Sequence, residues 1–200
     1  FRSDLQWTLP RDFRDFPPRR PLQSHKGAFG HLQILAGSVG YHGAAVLAAR
    51  GAMRARPGLI TLETQPECYL PVAAQLAQVM VRAWDSTATR MQEDYTGVMA
   101  GHGLVAESIR LALERRVVHA WRESPVPWVV DASALDWIPP GPHRTQALRV
   151  ITPHPGEAAR LLGTRTNEIL ANRVDAVRRL SSRWGNCAVV LKRSEEHTSE

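Results

Sequence analysis

A histidine between two prolines, with a glutamate three residues later, is the most specific pair of functional side chains in the sequence. Pro153 and Pro155 restrict the backbone on either side of His154, so this segment loses less conformational entropy when it is ordered. Gly156 permits a close turn, and Glu157 falls in the first turn of a predicted helix, where the dipole favours a carboxylate. The pair could hold an imidazole and a carboxylate against a ligand. A rigid exposed loop and an ordinary helix-start glutamate are the alternatives.

Two glycine-rich corners and one aspartate offer further polar groups directly after apolar runs. The stretch AGSVGYHGAA at 36–45 carries three glycines, among them Gly40, and GHG occupies 101–103. Glycines let the backbone approach a ligand, and the start of a following helix offers free N–H groups, so an anion or an amide-bearing ligand would fit. Asp131 follows the run WVV and could orient a substrate hydroxyl or hold Mg²⁺. Tight turns and a helix cap are the alternative explanations.

Short apolar runs alternate with amphipathic segments and must position these candidate groups. This alternation is typical of an α/β fold, in which a mostly parallel sheet carries helices on both faces. Ligands bind at the carboxyl ends of the strands in such sheets, so the glycine corners, Asp131 and His154 are expected along one edge. Predicted strands lie at 31–37, 58–64, 95–103, 127–135, 148–153 and 187–192. Predicted helices lie at 43–55, 70–84, 107–121, 156–163 and 167–185.

The overall composition argues against several classes of protein. With 44% hydrophobic residues among 200, the chain can bury a sizeable core. The net charge of +6 comes mainly from scattered arginines, so no nucleic-acid partner is expected. No apolar run is long enough to cross a bilayer, so no membrane association is expected. Cys68 and Cys187 lack a metal-like spacing, which predicts two free thiols in a reducing cytoplasm.

Four stretches of the sequence form a recognisable series, and they are SHKGAFGHLQILAGSVGYHGAAVLAARGAMRARPGLITLET at 24–64, GHGL at 101–104, VVDASAL at 129–135 and ITPHPGEAARLLG at 151–163. In this order and spacing they resemble the NAD(P)H-hydrate dehydratase domain. The resemblance implies a ribokinase-like three-layer fold, incomplete at the C-terminus. It also implies an enzyme that phosphorylates the S-epimer of hydrated NADH or NADPH, using ADP or ATP with Mg²⁺, and then eliminates phosphate to restore NAD(P)H.

The same resemblance implies roles for individual residues. The site for the hydrated nucleotide is expected to be lined by Ala44, Gly103 and His154. The adenine nucleotide and its phosphates are expected at Lys192 and Glu157, and Glu157 is expected to reach Mg²⁺ through water. Supporting roles are expected for Lys26, Gly27, Gly40 and Asp131.

Departures from the family pattern limit what is expected of this chain. His102 and Val105 stand where the family's GPGLG motif has proline and glycine, and Ser133 replaces the second aspartate of its DAD motif. After Lys192 the chain reads RSEEHTSE, without the family's glycine-rich anion turn and the catalytic aspartate that belongs to it. The expected division is an arm or linker at 1–24, a partial dehydratase domain at 25–192 and a non-native tail at 193–200. No catalytic residue is therefore expected within the chain.

Two other functions remain open. A small-molecule kinase of the same superfamily, acting on a thiazole or pyrimidine alcohol, would use a similar fold, although the TPHPGE segment argues against it. A nucleotide-binding module without catalysis would fit a partial domain. Hydrated NADH or NADPH and an adenine nucleotide are the expected ligands, and a homo-oligomer is expected for the full-length protein.

Overall fold

The computed structural model describes residues 4–16, 19–23, 25–85, 94–105 and 107–193, except for the side chain of residue 112. The described residues form seven strands, which are β1 (His31–Leu35), β2 (Leu59–Thr64), β3 (Met80–Ala83), β4 (Gly97–Ala100), β5 (Trp128–Val130), β6 (Arg149–Ile151) and β7 (Ala188–Val189). They build one sheet in the order β3-β2-β1-β4-β5-β6-β7. Every neighbouring pair is parallel, which confirms the predicted mostly parallel α/β sheet.

Six α-helices of the described chain connect or follow these strands. They are α1 (His42–Ala55), α2 (Tyr69–Ala73), α3 (Glu107–Glu123), α4 (Pro155–Leu162), α5 (Thr166–Ala171) and α6 (Arg173–Arg183). Single turns of 3₁₀-helix lie at Pro10–Phe13, Lys26–Phe29, Pro66–Cys68 and Ala132–Asp136. None of the helices within the described ranges combines the length and the apolar character needed to span a bilayer.

Each face of the sheet packs against its own set of helices, because successive strand residues point to opposite faces. On one face, α1 buries Ala45, Ala49 and Ala52 at helical spacing, and α2 completes a core over β1 to β3. On the other face, helices α3 to α6 cover the centre of the sheet, where Trp121 and Trp128 are fully buried. The result is the expected three-layer arrangement.

The prediction of one helix at 70–84 is wrong. The chain forms the short helix α2 and then strand β3, which pairs with β2 at the edge of the sheet. As an edge strand, β3 is mostly solvent-accessible, so it lacks the continuous apolar run that marks the central strands. Leu76 and Val79 are buried against the core of the α1 face, which explains why the apolar spacing resembles that of a helix.

The prediction of one helix at 167–185 is also wrong, because the chain breaks at Asn172. This residue leaves the helical conformation, with φ −141° and ψ 71°. Its side chain accepts a hydrogen bond from the Asp175 amide at 3.1 Å and so caps α6. Two helices, α5 and α6, therefore replace the single predicted one.

Candidate functional site

The loops that follow the central strands meet along one edge of the sheet, as the sequence predicts. The glycine corners, Asp131 and the His154 loop all lie there, because all seven strands run in the same direction. Backbone hydrogen bonds join the loops, with Gly37 N donating to His102 O at 2.8 Å, Asp131 N to Ala100 O at 3.0 Å, Thr152 N to Val130 O at 3.1 Å and Lys192 N to Pro153 O at 3.0 Å.

Ala44 and Gly103, both predicted to line the substrate site, are in direct contact. Gly103 has φ +68°, and a Cβ atom there would lie 2.9 Å from Ala44 Cβ and 2.9 Å from Tyr41 O. The Ser38 hydroxyl donates to Gly103 O at 2.6 Å. The loop after β4 is therefore held against the first turn of α1, and the position leaves room only for glycine.

His154 and Glu157 form the N-terminal cap of α4. His154 Nδ1 accepts hydrogen bonds from Gly156 N at 3.0 Å and Glu157 N at 3.4 Å, and Glu157 Oε2 accepts from His154 N at 2.7 Å. This reciprocal pattern is a capping box. The alternative explanation of Glu157, as an ordinary glutamate at the start of a helix, therefore describes part of the role of Glu157. Because Nδ1 accepts, the Nε2 atom of the neutral ring carries the proton. It lies 3.5 Å from Glu157 Oε1 on a partly exposed side chain, where it can also donate to a ligand.

Lys192 lies between two carboxylates at the same edge. Its Nζ atom is 2.8 Å from Asp131 Oδ1 and 3.9 Å from Glu157 Oε2. The backbone carbonyl of Lys192 accepts a hydrogen bond from the Arg173 guanidinium at 2.9 Å, which holds the segment after β7 against α6. The ammonium group is partly exposed and lies where it can contact an anionic ligand.

The Asp131 carboxylate is buried but held in its charged form. Burial acts to raise the pKa of Asp131, but hydrogen bonds from His102 and Lys192, the Lys192 charge and the Ala132 amide outweigh it. The pKa of this carboxyl therefore lies well below its usual range. Its contribution to stability is complete above the pKa of the unfolded chain, about 4, and is lost as the pH falls toward the folded-state pKa.

Asp131→Asn is expected to lower the free energy of unfolding by about 2 kcal/mol at neutral pH. Between about pH 4 and pH 2 the parent loses the stabilisation that its carboxylate supplies, so the difference between the two proteins should shrink there. Urea denaturation across this pH range measures the difference. A gap that stays constant down to the lowest pH would contradict the low pKa of Asp131.

The carboxylates and histidines of the described residues are not gathered into a cluster of metal ligands. The described residues contain no group of three or more His, Cys, Asp or Glu side chains placed to hold a metal. Asp131 faces Lys192, His102 and the Ala132 amide, and Glu157 accepts from the backbone of its own cap. The hypothesis that Asp131 holds Mg²⁺ and the expected water-mediated contact of Glu157 with Mg²⁺ both stay predictions.

An open cleft adjoins Glu157. It has a volume of about 570 Å³ and lies between the start of α3, the turn after β5 and helix α4. Trp137 and Val105 contribute apolar surface, and Arg160 forms a two-pronged ion pair with Asp136 at 2.8 and 2.9 Å. Glu157 thus lies in the wall of a concave surface large enough for part of a nucleotide.

The remaining predicted supporting residues lie in two different places. Gly40 is part of the exposed corner between β1 and α1, with φ +84° and open space on the side where a Cβ would project. Lys26 and Gly27 belong to the turn before β1, and the Lys26 carbonyl packs against Gly58, which precedes β2. They therefore lie at the amino ends of the strands, opposite the candidate site, and the fold of a single chain does not bring them to it.

Sequence reasoning missed the role of His102, which it names only as part of a glycine corner and as a departure from the family motif. The structure places His102 Nε2 at 3.2 Å from Asp131 Oδ2, with the side chain largely covered. The contact arises because β4 and β5 are neighbours in the sheet. The sequence carries no signal for this contact, because the order of strands in a sheet cannot be read from a single sequence.

Comparison with known proteins identifies the family of the chain. A family model described as NAD(P)H-hydrate dehydratase matches residues 32–198. The chain belongs to the NAD(P)H-hydrate dehydratase family. In this family, it is 38% identical over 175 residues to the bifunctional NAD(P)H-hydrate repair enzyme of Escherichia coli, and 35% identical over 179 residues to the ADP-dependent (S)-NAD(P)H-hydrate dehydratase of Neisseria meningitidis.

A solved structure confirms the ribokinase-like fold expected for a member of the family. The ADP/ATP-dependent NAD(P)H-hydrate dehydratase of Bacillus subtilis, co-crystallised with ATP and Mg²⁺, superposes with a TM-score of 0.74 at 28% identity. The match covers 88% of this chain and 62% of that one. The alignments cover 86% of this chain, but only 33% of the Escherichia coli enzyme and 59% of the Neisseria meningitidis enzyme.

Proposed function

We propose that this chain provides ligand sites for the ADP- or ATP-dependent dehydration of the S-epimer of hydrated NADH or NADPH. The relatives that it resembles are named for this reaction. The observation that carries the proposal is the grouping at one edge of the sheet. Two features lie there, namely a glycine-lined corner at Gly103 and a cationic group, Lys192, that is shared by two carboxylates.

The chemistry requires two ligands to meet at one place. Hydroxide is a poor leaving group from the hydrated ring, whereas phosphate is a good one. The reaction therefore transfers a phosphoryl group from the nucleotide to the ring hydroxyl. The departure of phosphate, together with a proton from the neighbouring ring carbon, then restores the double bond. Phosphoryl transfer depends mainly on positioning and on stabilisation of charge.

Different residues of this chain would contact the two ligands. His154 would donate from Nε2 to the hydrated nucleotide, which would lie over Gly103 and Ala44. Lys192 would bind the phosphates of the adenine nucleotide, with Glu157 beside it. Mg²⁺ would enter together with the nucleotide, because Mg²⁺ in such sites is held by one or two carboxylates and by the phosphates of the substrate. Two free buried thiols, Cys68 and Cys187, suit a reducing compartment such as the cytoplasm.

The direct test uses the gene product that contains these 200 residues. It is incubated with NADH hydrate, Mg²⁺ and either ADP or ATP, and we expect the near-ultraviolet absorbance of NADH to return only when the nucleotide is present. Nucleotide turnover only with a thiazole or pyrimidine alcohol would contradict the proposal in favour of a small-molecule kinase. Ligand binding without turnover would contradict it in favour of a non-catalytic module.

His154→Ala is expected to weaken the binding of NADH hydrate about ten-fold, because the hydrogen bond from Nε2 to the ligand is lost. ADP binding by the same variant should stay within about two-fold of the parent, since the nucleotide contacts Lys192 instead. Isothermal titration calorimetry with the 200-residue chain measures both affinities.

The control for this prediction is His154→Asn. Asparagine keeps an acceptor for the first amides of α4, so it preserves the cap while it removes the imidazole. It should retain the melting temperature of the parent and still lose hydrate affinity. Equal loss of both ligands, or no loss of hydrate, would contradict the assignment of His154.

A further inference from the structure

His102, which has no role in the proposed function so far, contacts the carboxylate on which Lys192 depends. Its Nε2 atom lies 3.2 Å from Asp131 Oδ2, and its side chain is 28% exposed. Its Nδ1 atom is buried and has no hydrogen-bond partner among the residues that the structure describes. The backbone of His102 is fixed as well, since its carbonyl accepts from Gly37 N at 2.8 Å.

This geometry selects one tautomer of the neutral ring. Nε2 must carry a proton to donate to Asp131 Oδ2, because a carboxylate only accepts. Nδ1 is buried and has no partner among the described residues, so a proton placed there instead would be a donor without an acceptor, which is costly. In the favoured tautomer, Nε2 is the donor that holds Asp131.

The contact completes the set of donors around Asp131. Ala132 N and Lys192 Nζ both approach Oδ1, each at 2.8 Å, so they leave Oδ2 to His102. Because both oxygens accept hydrogen bonds, the orientation of the Asp131 carboxylate is fixed. Without His102, only Oδ1 would be held, so the carboxylate could rotate about its bond to Cβ. The Lys192 ammonium would then shift toward Glu157, whose Oε2 atom lies 3.9 Å from Nζ.

We infer that His102 is a positioning residue that holds Asp131, and through it Lys192, in place for the phosphates of the adenine nucleotide. The inference rests on the proposed function, because it needs Lys192 to be the phosphate-binding group. It assigns no proton transfer to His102. Its effect is on nucleotide affinity, and a residue with a merely structural role would not act through one particular lysine.

A double-mutant cycle in ADP affinity tests the inference, with the 200-residue chain and calorimetry. We expect His102→Leu to weaken ADP binding about five-fold and Lys192→Met about twenty-fold. The double variant should bind no more weakly than Lys192→Met alone, because His102 acts through Lys192. His102→Gln keeps a donor near the Nε2 position and should restore affinity to within about two-fold of the parent.

Each outcome has a separate meaning. If the parent binds no ADP, the proposed function fails. If the parent binds ADP but His102→Leu binds equally well, or its full effect persists in the Lys192→Met background, the inference about His102 is overturned. A ¹H–¹⁵N NMR spectrum of the parent's histidine side chains gives an independent reading should the leucine variant fail to fold. A proton is expected on Nε2 of His102, and an Nε2 atom without a proton would overturn the inference.

Discussion

Gly101→Ala is expected to lower the free energy of unfolding by about 4 kcal/mol. Gly101 has φ +129°, a conformation that side chains rarely adopt, and a Cβ atom there would lie 1.7 Å from Asp131 O. That oxygen belongs to the backbone, so the loops after β4 and β5 would have to separate. The same shift would displace the Asp131 side chain, so ADP affinity should fall together with stability. Chemical denaturation and calorimetry measure the two losses.

Gly40→Ala is the matched control. Gly40 also has a positive φ, of +84°, but no atom lies within 4 Å of the position that a Cβ would take. Only the conformational cost remains, which is about 1 kcal/mol. Similar losses for the two variants would show that close contact between the loops is not what requires glycine at residue 101.

Arg149→Met is expected to lower the free energy of unfolding by about 3 kcal/mol or more. The Arg149 side chain is 2% exposed, and burial lowers its pKa to about 10. Its guanidinium donates to carbonyls at the end of α3, at 2.7 Å to Trp121 O and 2.6 Å to Ser124 O, and to Val126 O at 2.9 Å. Methionine fills much of the same volume but leaves these buried acceptors without donors.

Two comparisons separate this effect from a general loss of positive charge. Arg122→Met removes an exposed arginine from the last turn of the same helix and should cost no more than about 0.5 kcal/mol. Arg149→Lys keeps the charge but cannot reach several carbonyls at once, so it should remain clearly destabilised. Urea denaturation of all three variants is the measurement. A loss for Arg149→Met as small as that for Arg122→Met would contradict the role given to the buried guanidinium.

Most of the fold could be predicted because its central strands are short apolar runs buried on both faces. Strands β1, β2, β4, β5 and β6 all lie within predicted strands, as does β7, and α1, α3 and α4 match predicted helices closely. The errors fall where this signal weakens. The edge strand β3 is mostly exposed, and the break at Asn172 depends on one side chain that caps α6 in place of helical continuity.

From the sequence, the candidate site could be predicted only for residues that directly follow a predicted strand. The order of segments was enough to expect Asp131 and His154 at one edge, because parallel strands end together. The pairing of Lys192 with Asp131 and the contact of His102 with Asp131 depend on which strands are neighbours, and a single sequence does not state that order. The prediction for Lys26 went wrong in the other direction. Its sequence motif suggested a place in the site, but the residue lies at the opposite edge of the sheet.

The function proposed for this domain depends on two ligands that share the carboxyl edge of the sheet. A crystal structure of the chain soaked with ADP and NADH hydrate tests this most directly. The account predicts a phosphate oxygen within about 4 Å of Lys192 Nζ and the hydrated ring beside His154 and Gly103. Either ligand bound at the amino edge instead, next to Lys26, would contradict it.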